Sequence, residues 1–325
     1  MNVLITGATG CVGANLVEAV GQKGWRAIAL CRKTSSLHAL EGLTYDQAYG
    51  DVTDYDSLLT AMRGVEIVFH VAAVADYWRA VKRRLYEVNV EGTRNVMRAA
   101  KASGVNRVVY TSSVASLGQP GFGKTANETA VFNLSPERWH YGYSKVLAEQ
   151  VVQEAVADGL DAVIVNPAVV IGPRDVNLIS GSIIIEEARM GVPVYPPGGV
   201  CVIDVADVCA GEIGAAEHGR RGERYILGGE NLWHRDLIAS TADVVGRRPA
   251  RIGLSRGVTR ALARCVDVLA RTGLRLPGNG DQLRFAAETL WFDSTKARRE
   301  LGLATRPYRE AAQRAYDWYK TKGYI

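Results

Sequence analysis

The chain has 325 residues, of which 47% are apolar and 22% charged, an ordinary globular composition that argues against disorder and leaves room for one large α/β unit. Its 39 basic and 34 acidic residues give a net charge of +5, with only short basic clusters at Lys82-Arg83-Arg84, Arg220-Arg221 and Arg247-Arg248 and no interleaved aromatic stripe, so no nucleic-acid partner is expected. The five cysteines (Cys11, Cys31, Cys201, Cys209, Cys265) lack CxxC spacing, which argues against a disulfide framework or cysteine metal site, and the five histidines lack metal-ligand spacing.

Val3-Leu4-Ile5 reads as a buried strand, and residues 12–23 as a helix ending near Gly24. Residues 27–31 form a second predicted strand and 45–49 a weaker third. Residues 54–62 are helical, capped by Thr53 or Asp54. Residues 66–71 are a strand, 85–102 a long helix, 107–110 a strand, 143–157 a helix, and 162–165 a strand before Pro167. This alternation predicts a doubly wound parallel sheet of the Rossmann type, with its ligand crevice at the carboxyl ends of the strands. Beyond Pro167 the pattern loosens. Residues 202–216 mix a strand with a helix, 224–227 form a late strand, and 234 onward is mainly helical with a loop at 277–281. The expected organisation is a nucleotide-binding domain over 1–170, completed by segments near 200–230, and a smaller substrate lobe over 171–325. No leader pattern and no membrane-length apolar run is visible, so a cytoplasmic protein without a membrane partner is expected.

Thr6-Gly7-Ala8-Thr9-Gly10-Cys11-Val12-Gly13 follows the first strand and opens the first helix. Glycines at 7, 10 and 13 allow a tight turn and close backbone approach, and the helix N-terminus offers free N–H groups to a pyrophosphate. The second strand ends at Cys31 and is followed by Arg32-Lys33, where an NAD site places a carboxylate. A guanidinium there suits a ribose 2′-phosphate, so NADPH or NADP+ is expected over NAD. Asp51 and Val52 after the third strand, and Val71, Ala72 and Ala73 after the fourth, continue one path across the strand ends.

Tyr141 and Lys145 stand four residues apart on one predicted helix, hence on one face. A nearby ammonium and a nicotinamide cation would lower the phenol below its usual value near 10 and fit it for proton exchange. Thr111-Ser112-Ser113 ends the fifth strand, where Ser113 would polarise a substrate oxygen. Tyr143 has Leu147 four residues on and is assigned to a wall, and Asn89 braces a helix or joins a proton relay.

These residues, in this order, resemble the extended short-chain dehydrogenase/reductase superfamily over nearly the whole chain, with Asn166-Pro167 and Val202-Ile203-Asp204-Val205-Ala206-Asp207-Val208 as further matches. Within it, the segments 89–95, 109–115, 171–175 and 223–231 are similar to dihydroflavonol 4-reductase-like and hopanoid-associated sugar epimerase-like members of the NAD-dependent epimerase/dehydratase family. The resemblance implies a catalytic Ser113, Tyr141 and Lys145. It also implies a cofactor site at Gly7, Thr9, Gly10, Cys11, Val12, Gly13, Arg32, Lys33, Asp51, Val52, Val71–Ala73, Thr111, Tyr141, Lys145, Asn166, Pro167 and Ala168, and no metal.

Three functions are weighed. An NADPH-dependent reductase of a small ketone or aldehyde fits Arg32, with a pocket from residues 75–79, Tyr143, 169–174 and 183–195. A nucleotide-sugar epimerase or dehydratase with retained NAD(P) would need a diphosphate clamp, for which Arg174, Arg189 and Arg224 are candidates, while Val114 after Ser113 argues against dehydration. A non-catalytic NADP(H)-binding regulator would be expected to lose Tyr141 or Lys145. Helices 85–102 and 143–157 could form a homodimer interface.

Overall fold

A computed structural model describes residues 1–75, 81–271 and 279–325. In chain order the first half runs β1 (Asn2–Thr6), α1 (Cys11–Gln22), β2 (Arg26–Cys31), β3 (Asp46–Tyr49), α2 (Tyr55–Ala61), β4 (Ile67–His70), α3 (Lys82–Tyr86), α4 (Gly92–Ala102), β5 (Arg107–Thr111), β6 (Thr125–Ala126), α5 (His140–Ala157) and β7 (Ala162–Pro167). The second half runs β8 (Val169–Ile171), α6 (Ser182–Arg189), β9 (Val194–Tyr195), β10 (Gly199–Asp204), α7 (Val205–His218), β11 (Arg224–Leu227), β12 (Glu230–Trp233), α8 (His234–Val244), β13 (Ile252–Gly253), α9 (Arg256–Arg271), α10 (Gly280–Ala286), β14 (Thr289–Phe292), α11 (Thr295–Leu301) and α12 (Tyr308–Thr321).

Seven parallel strands form the main sheet in the order β11-β7-β5-β4-β1-β2-β3, so the order reverses between β1 and β4 as a doubly wound fold requires. Val3 and Ile5 point to one face and pack with Val17 and Val208, whereas Leu4 points to the other and packs with Met97 and Val152. Both faces are therefore covered, which explains why these strands are continuous apolar runs. Burying each such side chain contributes about 1.5–3 kcal/mol. A second sheet, β12-β10-β14-β6 with β8 beside β10, continues from the end of β7. Helices α6, α8 and α12 close over it through Ile184, Leu237, Tyr308 and Tyr319.

Three expectations shift. The long helix begins at Lys82 and carries a π-turn over Glu87–Glu91, which places the buried Asn89 side chain against the loop after β4. Helix α5 starts at His140, so Tyr141 lies in its first turn. The loop expected at 277–281 falls partly outside the described residues, and Asn279 is instead the N-cap of α10. Its side chain accepts from the Gln282 N–H while Gln282 reaches back, a capping box that overrides the glycine-rich appearance. Among the described residues no helix is long and apolar enough to cross a membrane.

Candidate functional site

The carboxyl ends of β1, β2, β4, β5 and β7 converge on a cleft of about 440 Å³. Gly7 adopts φ +68°, and its carbonyl oxygen would stand 2.2 Å from a Cβ at position 13. Only glycine lets α1 sit this close to the loop, and the N-cap Gly10 leaves the helix start without a side-chain cap or an acidic first turn. The N-terminal N–H groups are thus presented to the cleft without a side-chain cap, a cradle that fits a pyrophosphate. Thr9, Cys11 and Val12 line the same wall.

Arg32 and Ser35 line the cleft at the end of β2, with no carboxylate between Cys31 and Ser36. Lys33 is exposed and lies outside the lining. Asp51 and Val52 border the next segment. Against the cost of its burial, Asp51 is held below the usual carboxylate range by the Thr53 N–H and hydroxyl (2.9 and 2.8 Å) and by Arg84, 3.9 Å away. Arg84 also lines the cleft and was not singled out from sequence; its basic cluster reads as a solvated helix face.

Val71, Ala72 and Ala73 form the cleft floor after β4. A chain of hydrogen bonds fixes that loop. The Ala72 N–H donates to the Thr6 hydroxyl (3.1 Å), which bonds His70 Nδ1 (2.8 Å), and His70 Nε2 bonds the Thr93 hydroxyl (3.0 Å). The Thr93 hydroxyl itself donates to the Asn89 carbonyl (2.7 Å), so His70 Nε2 must carry the proton and Nδ1 must accept. Burial, helped by Lys145, pushes His70 down to about 3 and keeps it neutral. Asn89 bonds both the N–H and the carbonyl of Val74, and reaches Ser144 at 3.0 Å; it acts as a brace.

The structure brings Ser113, Tyr141 and Lys145 to one end of this cleft. Gly142 is what lets α5 approach: a Cβ there would stand 2.7 Å from the Ala115 carbonyl oxygen. Ser113 Oγ accepts from the Ala115 N–H at 3.2 Å. Burial raises Tyr141 to about 12, while a hydrogen bond from Ser113 draws it down. Lys145 turns its ammonium to the Thr111 carbonyl (2.8 Å) and the Tyr110 hydroxyl (3.3 Å). Burial depresses Lys145 to about 8, against the pull of Glu149 and Glu212.

Two buried carboxylates behind these residues were not legible beforehand. Glu149, one turn beyond Lys145, accepts from Ser112 (2.5 Å), Ser116 (2.6 Å) and Asn166 (2.7 Å), and pairs with Arg224 at 2.7 Å. Asn166 is wholly buried and supports the Ser113 carbonyl (3.1 Å) from behind the cleft, whereas Pro167 and Ala168 line it. Glu212 on α7 accepts from the Thr111 hydroxyl at 2.8 Å, and burial lifts it to about 8. The available signal was a charge placed inside an apolar helical stretch in each case.

A second cavity of about 340 Å³ shares Val114, Val169 and Ser180 with the cleft. Ile183 lines it as expected, but Arg174, Arg189 and Arg224 do not. Arg174 donates to the carbonyls of Ala39 (2.8 Å) and Glu41 (3.2 Å), Arg189 to that of Tyr324 (2.5 Å), and Arg224 is held by Glu149. Of the expected 75–79 wall, Ala75 lines the cleft and 76–79 lie outside the described residues. Tyr143 packs on Phe132, ring centroids 6.0 Å apart, and lines neither cavity.

Comparison with known proteins matches residues 3–228 to the NAD dependent epimerase/dehydratase family. The chain is 36% identical to a putative dihydroflavonol 4-reductase of Synechocystis sp., over 99% of this chain and 95% of that protein. It is 34% identical to sterol demethylase protein B of Methylococcus capsulatus over the full length of both. The crystal structure of gox2253 matches with a TM-score of 0.88 and 36% identity, covering 99% of each chain.

Proposed function

This chain belongs to the NAD-dependent epimerase/dehydratase family and is an NAD(P)-dependent oxidoreductase of the extended short-chain type, and from that premise we propose that it is an NADPH-dependent reductase of an apolar ketone or aldehyde. The observation that carries the reading is the second cavity. It abuts the Ser113–Tyr141–Lys145 end of the cleft, and no Lys, Arg, Asp or Glu occurs among its described lining residues. A nucleoside diphosphate entering it would lose its hydration without gaining a cation from the described lining. The three arginines that could have clamped a diphosphate are bonded elsewhere. Both curated relatives are named for ring compounds, a dihydroflavonol and a sterol.

The glycine cradle, Arg32, Asp51 and the Val71–Ala73 floor would hold the nucleotide, and Arg32 with Ser35 would bind the 2′-phosphate that distinguishes NADPH. The bound nucleotide supplies a hydride to the carbonyl carbon. Ser113 holds the carbonyl oxygen by a hydrogen bond, and Tyr141 donates its phenolic proton to that oxygen. Lys145 stabilises the resulting phenolate by its charge and keeps Tyr141 oriented from one helical turn away.

The experiment is NADPH oxidation followed by absorbance across apolar ketones, aldehydes and UDP-sugars. Turnover with apolar carbonyls and none with UDP-sugars is the expected result. Turnover of UDP-sugars without net loss of NADPH would replace this reading with an epimerase, and tight NADPH binding with no turnover on either class would replace it with a regulatory protein.

A further inference from the structure

The apolar stripe of α9 faces outward. A surface helix normally turns that stripe to the core and its polar face to water. In α9 the core side holds small residues instead. Thr259 and Ala263 are buried, and Ala263 lies so near the start of α10 that a Cβ added to Gly280 would stand 2.6 Å from its carbonyl oxygen. On the outer side, Val258 (48% exposed) and Leu262 (42%) lie one turn apart, the exposed Cys265 continues their line, and Val268 (58%) flanks it. Single exposed apolar residues are ordinary, but a row of them along one helix marks an interaction surface.

Charge says what covers the row. The sequence of α9 holds four arginines against one aspartate. Helical spacing sets the exposed Arg260 and Arg264 along one edge of the apolar row. Arg256 and Arg260 share the one carboxylate of Glu288, each at 2.8 Å, so that group keeps a net positive charge. Asp267 is neutralised by Arg284, and Arg264 makes no ion pair among the described residues. An apolar row edged by guanidiniums suits a helix lying in a membrane surface, with its apolar side chains in the acyl boundary and its cations at anionic headgroups. A second copy of the chain suits it less well. Packed antiparallel across a twofold axis, the arginine edge would meet itself, and like charges repel.

Aromatic rings adjoin the start of the helix. The Arg256 guanidinium stands 4.1 Å from the centre of the Phe122 ring, Phe122 lies 5.7 Å from Trp233, and Trp233 lies 4.6 Å from Trp291. Phe122 and Trp233 are exposed, and tryptophan settles at the headgroup level of a bilayer. Behind α9, Phe285 and Ala286 of α10 line the second cavity, so the outward row lies one helix away from an apolar chamber.

We propose that α9 is an interfacial helix by which the protein docks peripherally on an anionic lipid surface, with Val258, Leu262 and Val268 entering the acyl boundary and Arg260 and Arg264 meeting the headgroups. The sequence expectation of no membrane partner rested on a leader pattern and on spanning length, and neither bears on a helix that lies flat. The proposal stands apart from the reductase reading, because its test reads binding and not turnover.

The test is sedimentation of the full chain with vesicles of phosphatidylcholine and phosphatidylglycerol, against vesicles of phosphatidylcholine alone. We expect binding to the anionic vesicles that weakens as salt is raised. Arg264→Gln should weaken it by about 5-fold. Val258→Gln together with Leu262→Gln keeps helix propensity, removes the apolar row and should weaken binding by at least about 10-fold. Tm of each variant separates loss of folding from loss of docking. Equal binding to both kinds of vesicle, or binding that survives in the folded double variant, would overturn the proposal. No binding to the anionic vesicles would also overturn it, and light scattering that shows the double variant splitting a dimer would then assign the row to a second copy.

Discussion

Lys145 donates to the carbonyl of Thr111 at 2.8 Å, and the hydroxyl of the same threonine donates to the buried Glu212 at 2.8 Å. One residue at the end of β5 thus joins an ammonium held near 8 to a carboxyl also lifted to about 8. Activity that needs the ammonium should fall as pH rises through about 8. Glu212→Gln removes a carboxylate that raises Lys145, so the alkaline limb of kcat should move to lower pH. An unchanged limb would show that Glu212 does not act on Lys145.

On the proposed reading, Arg32 sets the preference between nucleotides. Arg32→Asp should raise KM for NADPH by about 10–100-fold, the scale of a lost charge-assisted pair, and spare NADH. Steady-state kinetics with both nucleotides checks this. Equal losses for NADH and NADPH would mean that Arg32 does not read the 2′-phosphate.

Much of this site was legible because its motifs lie next to strand ends, where the periodicity changes. The glycine turn, Ser113, Tyr141 and Lys145 all meet in one cleft. What escaped was whatever depends on contacts distant in sequence. Glu149 joins β5, β7 and β11, and no local spacing announces those partners. The strand Thr289–Phe292 was hidden for the same reason, since its pairing with Gly199 and Val200 is not encoded nearby.

His70 should make stability fall in acid. Its folded value of about 3 lies below the ordinary 6.5, so below 6.5 the unfolded chain takes up a proton that the folded state refuses. Stability contributed by this group is therefore present above 6.5 and declines toward pH 3, by about 1.4 kcal/mol per pH unit. Urea midpoints for His70→Asn should show a shallower acid slope than the unaltered chain. Parallel profiles would contradict the buried neutral tautomer.

Glu149 should matter to folding far more than its ion pair does. Glu149→Leu strands the Ser112, Ser116 and Asn166 donors and should cost about 3–5 kcal/mol. Arg224 is partly exposed, and Arg224→Met should cost about 1 kcal/mol or less at high salt, where the remaining pairing is screened. Chemical denaturation of both variants separates the two terms. Equal losses would place the weight on the ion pair instead.

The most direct measurement is single-turnover reduction by Tyr141→Phe beside its NADPH affinity. The account predicts nucleotide binding close to that of the unaltered protein and a rate of carbonyl reduction lower by at least about 10²-fold, the usual scale for losing a positioned proton donor. Reduction at the normal rate by the phenylalanine variant would contradict it.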